Sequence, residues 1–152
     1  MNYLEDIIGI YIFQKLLGDG NQFGMSINYK EQQSPNGLAE AFILGENFIN
    51  KEPIALILGD NLIVGQDLSR SLSIAKNREI GATIFAYKVN NPEEFGIVEV
   101  DENNNVLNLI EKPKEYVSSK AVIGLYVFND QFKNYFSKTE KSERGEYEIL
   151  DV

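Results

Sequence analysis

The stretch Glu31–Asn61, EQQSPNGLAEAFILGENFINKEPIALILGDN, constrains this chain most. Ser34-Pro35-Asn36-Gly37 is a turn signal, because Pro presets φ while Asn and Gly accept φ > 0. A helical pattern follows, with Leu38, Ala41, Phe42, Gly45, Phe48 and Ile49 on the predicted inward face. Pro53 then opens the apolar run Ile54–Leu58, which stops at Gly59-Asp60-Asn61. Such a run predicts a central parallel strand covered on both faces. A carboxylate just past the carboxyl end of a buried strand is where open α/β sheets bind ligands and metals.

The rest of the chain extends this pattern. Ile7–Leu17 is apolar and fits strand or helix. Gly18-Asp19-Gly20-Asn21 is a turn, and Met25–Tyr29 reads as a strand. Leu68, Leu72, Ala75 and Lys76 mark a second amphipathic helix, and Ala82–Val89 another buried strand. Phe95–Val100, Asp101–Asn105 and Val106–Glu111 form a strand–turn–strand hairpin. Ala121–Phe128 is a further strand, and Asp130–Phe136 a short helix with Asp130 as N-cap. Glu148–Val152 is helix-like material without a stop signal. The predicted fold is α/β: a Rossmann-like, doubly wound, mainly parallel sheet with a mixed edge hairpin, in one domain over residues 1–152.

Composition removes whole classes of chemistry. The 152 residues include no Cys and no His. Disulfides, thiol nucleophiles, Cys/His zinc sites and every His-based triad are excluded. The net charge is −9 without a basic run, so nucleic acid is not an expected partner. Ile7–Phe13 is too short to span a bilayer, which needs about 20 apolar residues, and acidic Glu5 and Asp6 stand where a signal peptide carries positive charge. No membrane partner is expected, and a cytoplasmic location is.

Candidate site residues follow from local chemistry. Asp60 could hold a divalent cation that bridges phosphates, since Mg²⁺ takes one or two carboxylates plus substrate oxygens. A turn aspartate capping the loop is an equal reading of the same pattern. The turn at Ser34–Gly37 could present backbone groups to a base edge, or simply join strand to helix. Glu111 could accept hydrogen bonds from sugar hydroxyls and Lys112 could meet a phosphate, or both could be an exposed charged strand end. Gly18-x-Gly20-x-x-x-Gly24 has the wrong spacing for a dinucleotide fingerprint. Asp101-x-Asn103-x-Asn105 begins like a calcium loop but has Val106 where Gly is needed and Lys112 where Glu belongs.

Six segments in order, FQKLLGDGNQFG, YKEQQSPNGLAEAFILGENFI, LILGDN, FGIVEVDENNNVLNLIEKPK, AVIGLYVFND and SERGEYEI, resemble the glucose-1-phosphate thymidylyltransferase family of sugar nucleotidylyltransferases. The resemblance runs from about Phe13 to the last residue; residues 1–12 match poorly. It implies an incomplete nucleotidyltransferase fold, with dTTP and glucose 1-phosphate as substrates and dTDP-glucose as product, in nucleotide-sugar and cell-surface polysaccharide biosynthesis. It places Gln32, Pro35, Gly37 and Leu38 around the thymine and makes Asp60 a Mg²⁺ ligand. Gly96, Glu111, Lys112 and Val122 line the sugar-phosphate pocket, with Tyr126 near the sugar. A homo-oligomer is also implied. The family's glycine-rich loop, with its Arg and following Lys, has no counterpart here, nor has its second metal-binding Asp. No catalytic residue is therefore assigned, and turnover is expected to be weak or absent. A non-catalytic nucleotide-sugar-binding module and a non-functional remnant are the alternatives, and uridylyl or cytidylyl transfer is the next chemistry.

Overall fold

A computed structural model describes residues 3–34, 36–49, 52–79, 81–131, 136, 138–142, 145, 147 and 149. The chain divides into two compact units, Met1–Pro35 and Asn36–Val152.

In the first unit, helix α1 spans Tyr3–Leu17, resolving the ambiguity of Ile7–Leu17. It ends where Gly18 turns left-handed at φ 58°, and Gln22 Nε2 donates to the Leu17 carbonyl at 2.8 Å. That contact satisfies one of the carbonyls a helix end leaves free. The Tyr29 hydroxyl donates to the Gly18 carbonyl at 2.7 Å. Met25–Tyr29 is not the expected strand. Its amides turn back to the preceding loop instead: Met25 N donates to Gly20 O at 3.3 Å and Ile27 N to Asp19 O at 2.9 Å.

The second unit holds short helices α2 (Glu40–Leu44) and α3 (Glu46–Ile49), strand β1 (Ile54–Ile57), helix α4 (Leu68–Lys76) and strands β2 (Ala82–Lys88), β3 (Gly96–Val100), β4 (Val106–Glu111) and β5 (Lys120–Phe128). The single helix expected after Leu38 is thus divided at Gly45, whose N–H donates to Ala41 O at 2.8 Å. The buried positions are Ala39 and Phe42, whereas Leu38, Ala41 and Phe48 are exposed.

The α/β class holds, but strand direction differs from expectation. The sheet runs β1-β5-β3-β4, with β2 also paired to β5. All pairings among the described residues are antiparallel, not mainly parallel. β1 and β2 do run the same way, but the long strand β5 lies antiparallel between them, with Tyr126 opposite both Leu56 and Ile84. Nor is β1 covered on both faces. Ile54 and Leu56 are half-buried against the cluster of Ala39, Phe42, Tyr126 and Phe128, while Ala55 and Ile57 are exposed. Among the described residues β5 is its only partner, so β1 forms an edge.

The hairpin appears as expected: Gly96 lies opposite Glu111 and Val98 opposite Leu109. Its turn is organised by Asp101, which accepts from Asn105 Nδ2, Asn105 N and Asn103 N, each at 2.8 Å. Asn104 takes φ 61°, a left-handed conformation that Asn tolerates. The Asn105 side-chain amide, then the Asn105 and Asn103 backbone amides, hold the Asp101 carboxyl below its ordinary value of 3.8. A depressed carboxylate supports the folded turn above its unfolded pKa and stops doing so as pH falls through the folded value. The Asn103 and Asn105 amide resonances should therefore shift together with a midpoint below pH 3.8. A transition centred above that pH would contradict the hydrogen-bond assignment.

The predicted helix Asp130–Phe136 lies mostly outside the described residues, as does Glu148–Val152 apart from Ile149. Among the described residues no helix is long and apolar enough to cross a membrane.

Candidate functional site

A cleft of about 760 Å³ opens at the end of β1. Six of the residues singled out from sequence line it: Leu38, Asp60, Gly96, Glu111, Val122 and Tyr126. They come from the start of α2, the turn after β1, the two strands of the hairpin and the middle of β5. The topology explains their meeting. β5 carries Val122 and Tyr126, pairs with β1 near its carboxyl end, and meets β3 through Ala121 opposite Ile97. Residues separated by tens of positions are thereby brought to one face.

The remaining predicted residues stand elsewhere. Gly37 adjoins Leu38 but does not line the cleft; its backbone lies against that of Tyr147. Lys112 follows Glu111 with φ 44°, and its N–H donates to the Phe95 carbonyl at 3.0 Å. That left-handed backbone costs about 1–2 kcal/mol for a non-glycine residue. Gln32 belongs to the first unit, in a groove with Ile10, Phe13 and Tyr29. Pro35 is outside the described residues.

The cleft's polar groups are few. Asp60 is exposed on a tight turn closed by Asn61 N donating to Leu58 O at 3.2 Å. Tyr126 is buried, yet it reaches the cleft. Burial, and secondarily the negative charge of Glu111, raise its hydroxyl above the ordinary pKa of 10.0. The phenol is therefore a neutral hydrogen-bond donor at physiological pH, beside a carboxylate that accepts. A donor and an acceptor set among apolar lining residues such as Leu58, Ala121 and Val122 suit a polyhydroxylated ligand.

Among the described residues no three acidic, His or Cys groups gather into a metal site. One carboxylate is nevertheless enough protein ligand for a Mg²⁺ ion that draws its other ligands from water and phosphate oxygens. Asp60, exposed at the cleft rim, fits that role; a preformed cage without substrate does not fit this donor set.

The structure adds lining residues absent from the sequence reading: Asn61, the apolar run Leu62–Val64, Tyr87, Phe95 and Ile149. Asn61 could have been found from its place beside Asp60. Tyr87 and Ile149 reach the cleft only through tertiary packing and carry no local signal.

Residues 10–152 match the family described as nucleotidyl transferase. The chain is 46% identical over 140 residues to a glucose-1-phosphate thymidylyltransferase of Neisseria meningitidis serogroup A, covering 92% of this chain and 49% of that one. It is 44% identical over 141 residues to the enzyme of the same name from Xanthomonas campestris, covering 93% and 48%. The chain thus spans about half the length of the curated relatives it matches. Its fold superposes with a TM-score of 0.82, at 34% identity, on a structure from Bacillus anthracis assigned as a glucose-1-phosphate thymidylyltransferase in complex with a sucrose, covering 93% of this chain and 57% of that one. A UDP-glucose pyrophosphorylase complexed with UDP-glucose superposes at 0.73 with 22% identity, covering 93% and 58%, which speaks to fold alone.

Proposed function

Because the chain belongs to the nucleotidyl transferase family, we propose that its cleft is the sugar-phosphate and nucleotide site of a glucose-1-phosphate thymidylyltransferase, binding dTDP-glucose and its precursors with Mg²⁺. The observation that carries this reading is the convergence of Leu38, Asp60, Gly96, Glu111, Val122 and Tyr126 on one cleft. The resemblance had grouped those six residues without any structure.

Each group has a task in that reaction. The sugar phosphate oxygen attacks the α-phosphorus of dTTP; the new P–O bond forms as the bond to pyrophosphate breaks. Such transfer depends on alignment and charge neutralisation more than on proton transfer, in keeping with a chain without His. Glu111 accepts hydrogen bonds from sugar hydroxyls and Tyr126 donates one. Gly96 and Val122 border the ring, and Leu38 covers an apolar face of the base. The resemblance also assigns Gln32, Pro35 and Gly37 to the base and Lys112 to phosphate. Asp60 would hold the Mg²⁺, whose chemistry would be to neutralise phosphate charge. No residue is assigned to stabilise the transferring phosphoryl group, so ligand binding is the primary readout and turnover the secondary one.

The test is a thermal melt with dTDP-glucose, with and without Mg²⁺. A ligand at 100 times its Kd stabilises the fold by about 2.7 kcal/mol. Wild type should melt higher with ligand, and higher again with Mg²⁺. Asp60→Asn should keep the metal-independent shift but weaken the Mg²⁺-dependent affinity about tenfold or more. If dTDP-glucose leaves the wild-type midpoint unmoved, the proposal fails.

A further inference from the structure

We infer that Gly124 is a positioning residue for the Asp60 turn, setting the height at which that turn rests on the sheet. The inference rests on the reading of Asp60 as the cation ligand.

A glycine inside a strand weakens it and marks a close approach by another part of the chain. Gly124 sits in the middle of β5, between Ile123 and Leu125, and is buried. Its carbonyl accepts from Leu58 N at 2.8 Å, one residue beyond the end of β1. The chain then turns at Gly59-Asp60, and Asn61 N closes the turn onto Leu58 O. A Cβ on Gly124 would land on Asn61 Nδ2 and on Leu58 Cγ and Cδ1, well inside contact distance. The two residues that bracket Gly59-Asp60 therefore occupy the space that a side chain at position 124 would take.

The contrast with Gly59 sharpens the point. A Cβ at Gly59 meets nothing within 4 Å. The glycine beside Asp60 in sequence is not the one that the turn's seating requires; that one lies across the sheet. A methyl at 124 must displace the Leu58 and Asn61 side chains. Both line the cleft, so they would crowd it while displacing the carboxylate between them.

The test uses the full chain, uniformly ¹⁵N-labelled, with Mn²⁺ and dTTP as the probe. Paramagnetic broadening of the Asp60 amide reports occupancy at the turn, a quantity that a merely structural role would leave alone. In Gly124→Ala, with the Ile97 and Val98 amides unshifted as a check on the core, the Mn²⁺ concentration needed for half-broadening at Asp60 should rise about tenfold or more. The double variant Leu58→Ala/Gly124→Ala restores room and should recover much of that loss; it serves also if the single variant does not fold. Equal broadening in wild type and Gly124→Ala overturns the inference alone, as does a double variant that folds but recovers nothing. Absence of Asp60 broadening in wild type overturns the cation reading of Asp60, and the inference with it.

Discussion

Phe42→Ala should destabilise the second unit by about 3–5 kcal/mol, the usual loss for a large aromatic removed from a packed core. Phe42 is 4% exposed. Its ring meets Phe128 edge-on at 5.2 Å and an interplanar angle of 84°, and Phe136 at 5.8 Å. Phe128 in turn stacks on Tyr126 at 6.4 Å. Truncation would empty the one place where α2, β5 and Phe136 meet, and these elements hang from different parts of the chain. A domain stable by only about 5–15 kcal/mol has little margin for such a loss. Phe48→Ala is the matched control. Phe48 is 68% exposed, so its truncation should stay within about 0.5 kcal/mol. Urea titrations of the two variants decide the matter. Similar midpoints would mean that the helix packs with the other face inward.

That pair of phenylalanines also shows how far the sequence could be read. A helical pattern over Leu38–Ile49 was legible, but its inward face was not. Phe42 and Phe48 fit one helical stripe only if the helix is continuous. Gly45 divides it, and the second segment turns Phe48 outward. Glycine in a helical pattern lowers helix propensity without saying whether the helix bends or ends. The hairpin was more legible because its information is local: Asp101, Asn103, Asn104 and Asn105 make their own turn, and the alternation on either side fixes the pairing.

Strand direction was harder to read. Apolar runs such as Ile54–Leu58 and Ala82–Val89 report burial, not which neighbour supplies the hydrogen bonds. Both runs became strands, yet the sequence could not reveal that β5, some seventy residues beyond β1, would insert between them in the opposite sense. Met25–Tyr29 failed for a related reason: its apolar residues suit a strand, but the Gly20 and Asp19 carbonyls offer its amides nearer partners.

The site was legible where a motif concentrates it. Asp60 and Glu111 end strands, and strand ends were the places to look. The groups that hold those motifs in place were not legible. Gly124 and Tyr147 look like an interruption in an apolar strand and a surface aromatic until the chain is folded.

Gly37→Ala should have the other large effect, about 3 kcal/mol of lost stability, from two sources that act together. Gly37 takes φ 100°, where a side chain costs about 1–2 kcal/mol. A Cβ there would also strike Tyr147 main-chain atoms, lying on its carbonyl oxygen, 2.7 Å from its nitrogen and 3.0 Å from its carbonyl carbon. Overpacking of this kind costs about 1–3 kcal/mol, and the neighbour cannot swing aside as a side chain would. Tyr147 N donates to Asn36 O at 2.8 Å, and Tyr147 O accepts from Ala39 N at 3.4 Å. Its ring packs on Phe136 at 5.8 Å, with the Lys141 ammonium 5.2 Å from the ring centre. The glycine is thus required by a strap laid across the start of α2, and the turn chemistry of Ser34–Gly37 is only part of its reason. Leu38, the next residue, lines the cleft. Displacing the strap should therefore weaken dTDP-glucose binding as well as the fold. Gly65→Ala separates these effects from a general intolerance of alanine: its Cβ meets nothing within 4 Å and its φ is not positive. It should leave stability within about 0.5 kcal/mol of wild type. Denaturant midpoints for both variants, with and without ligand, give the answer. A Gly37→Ala protein as stable as Gly65→Ala would mean that the strap does not hold the turn.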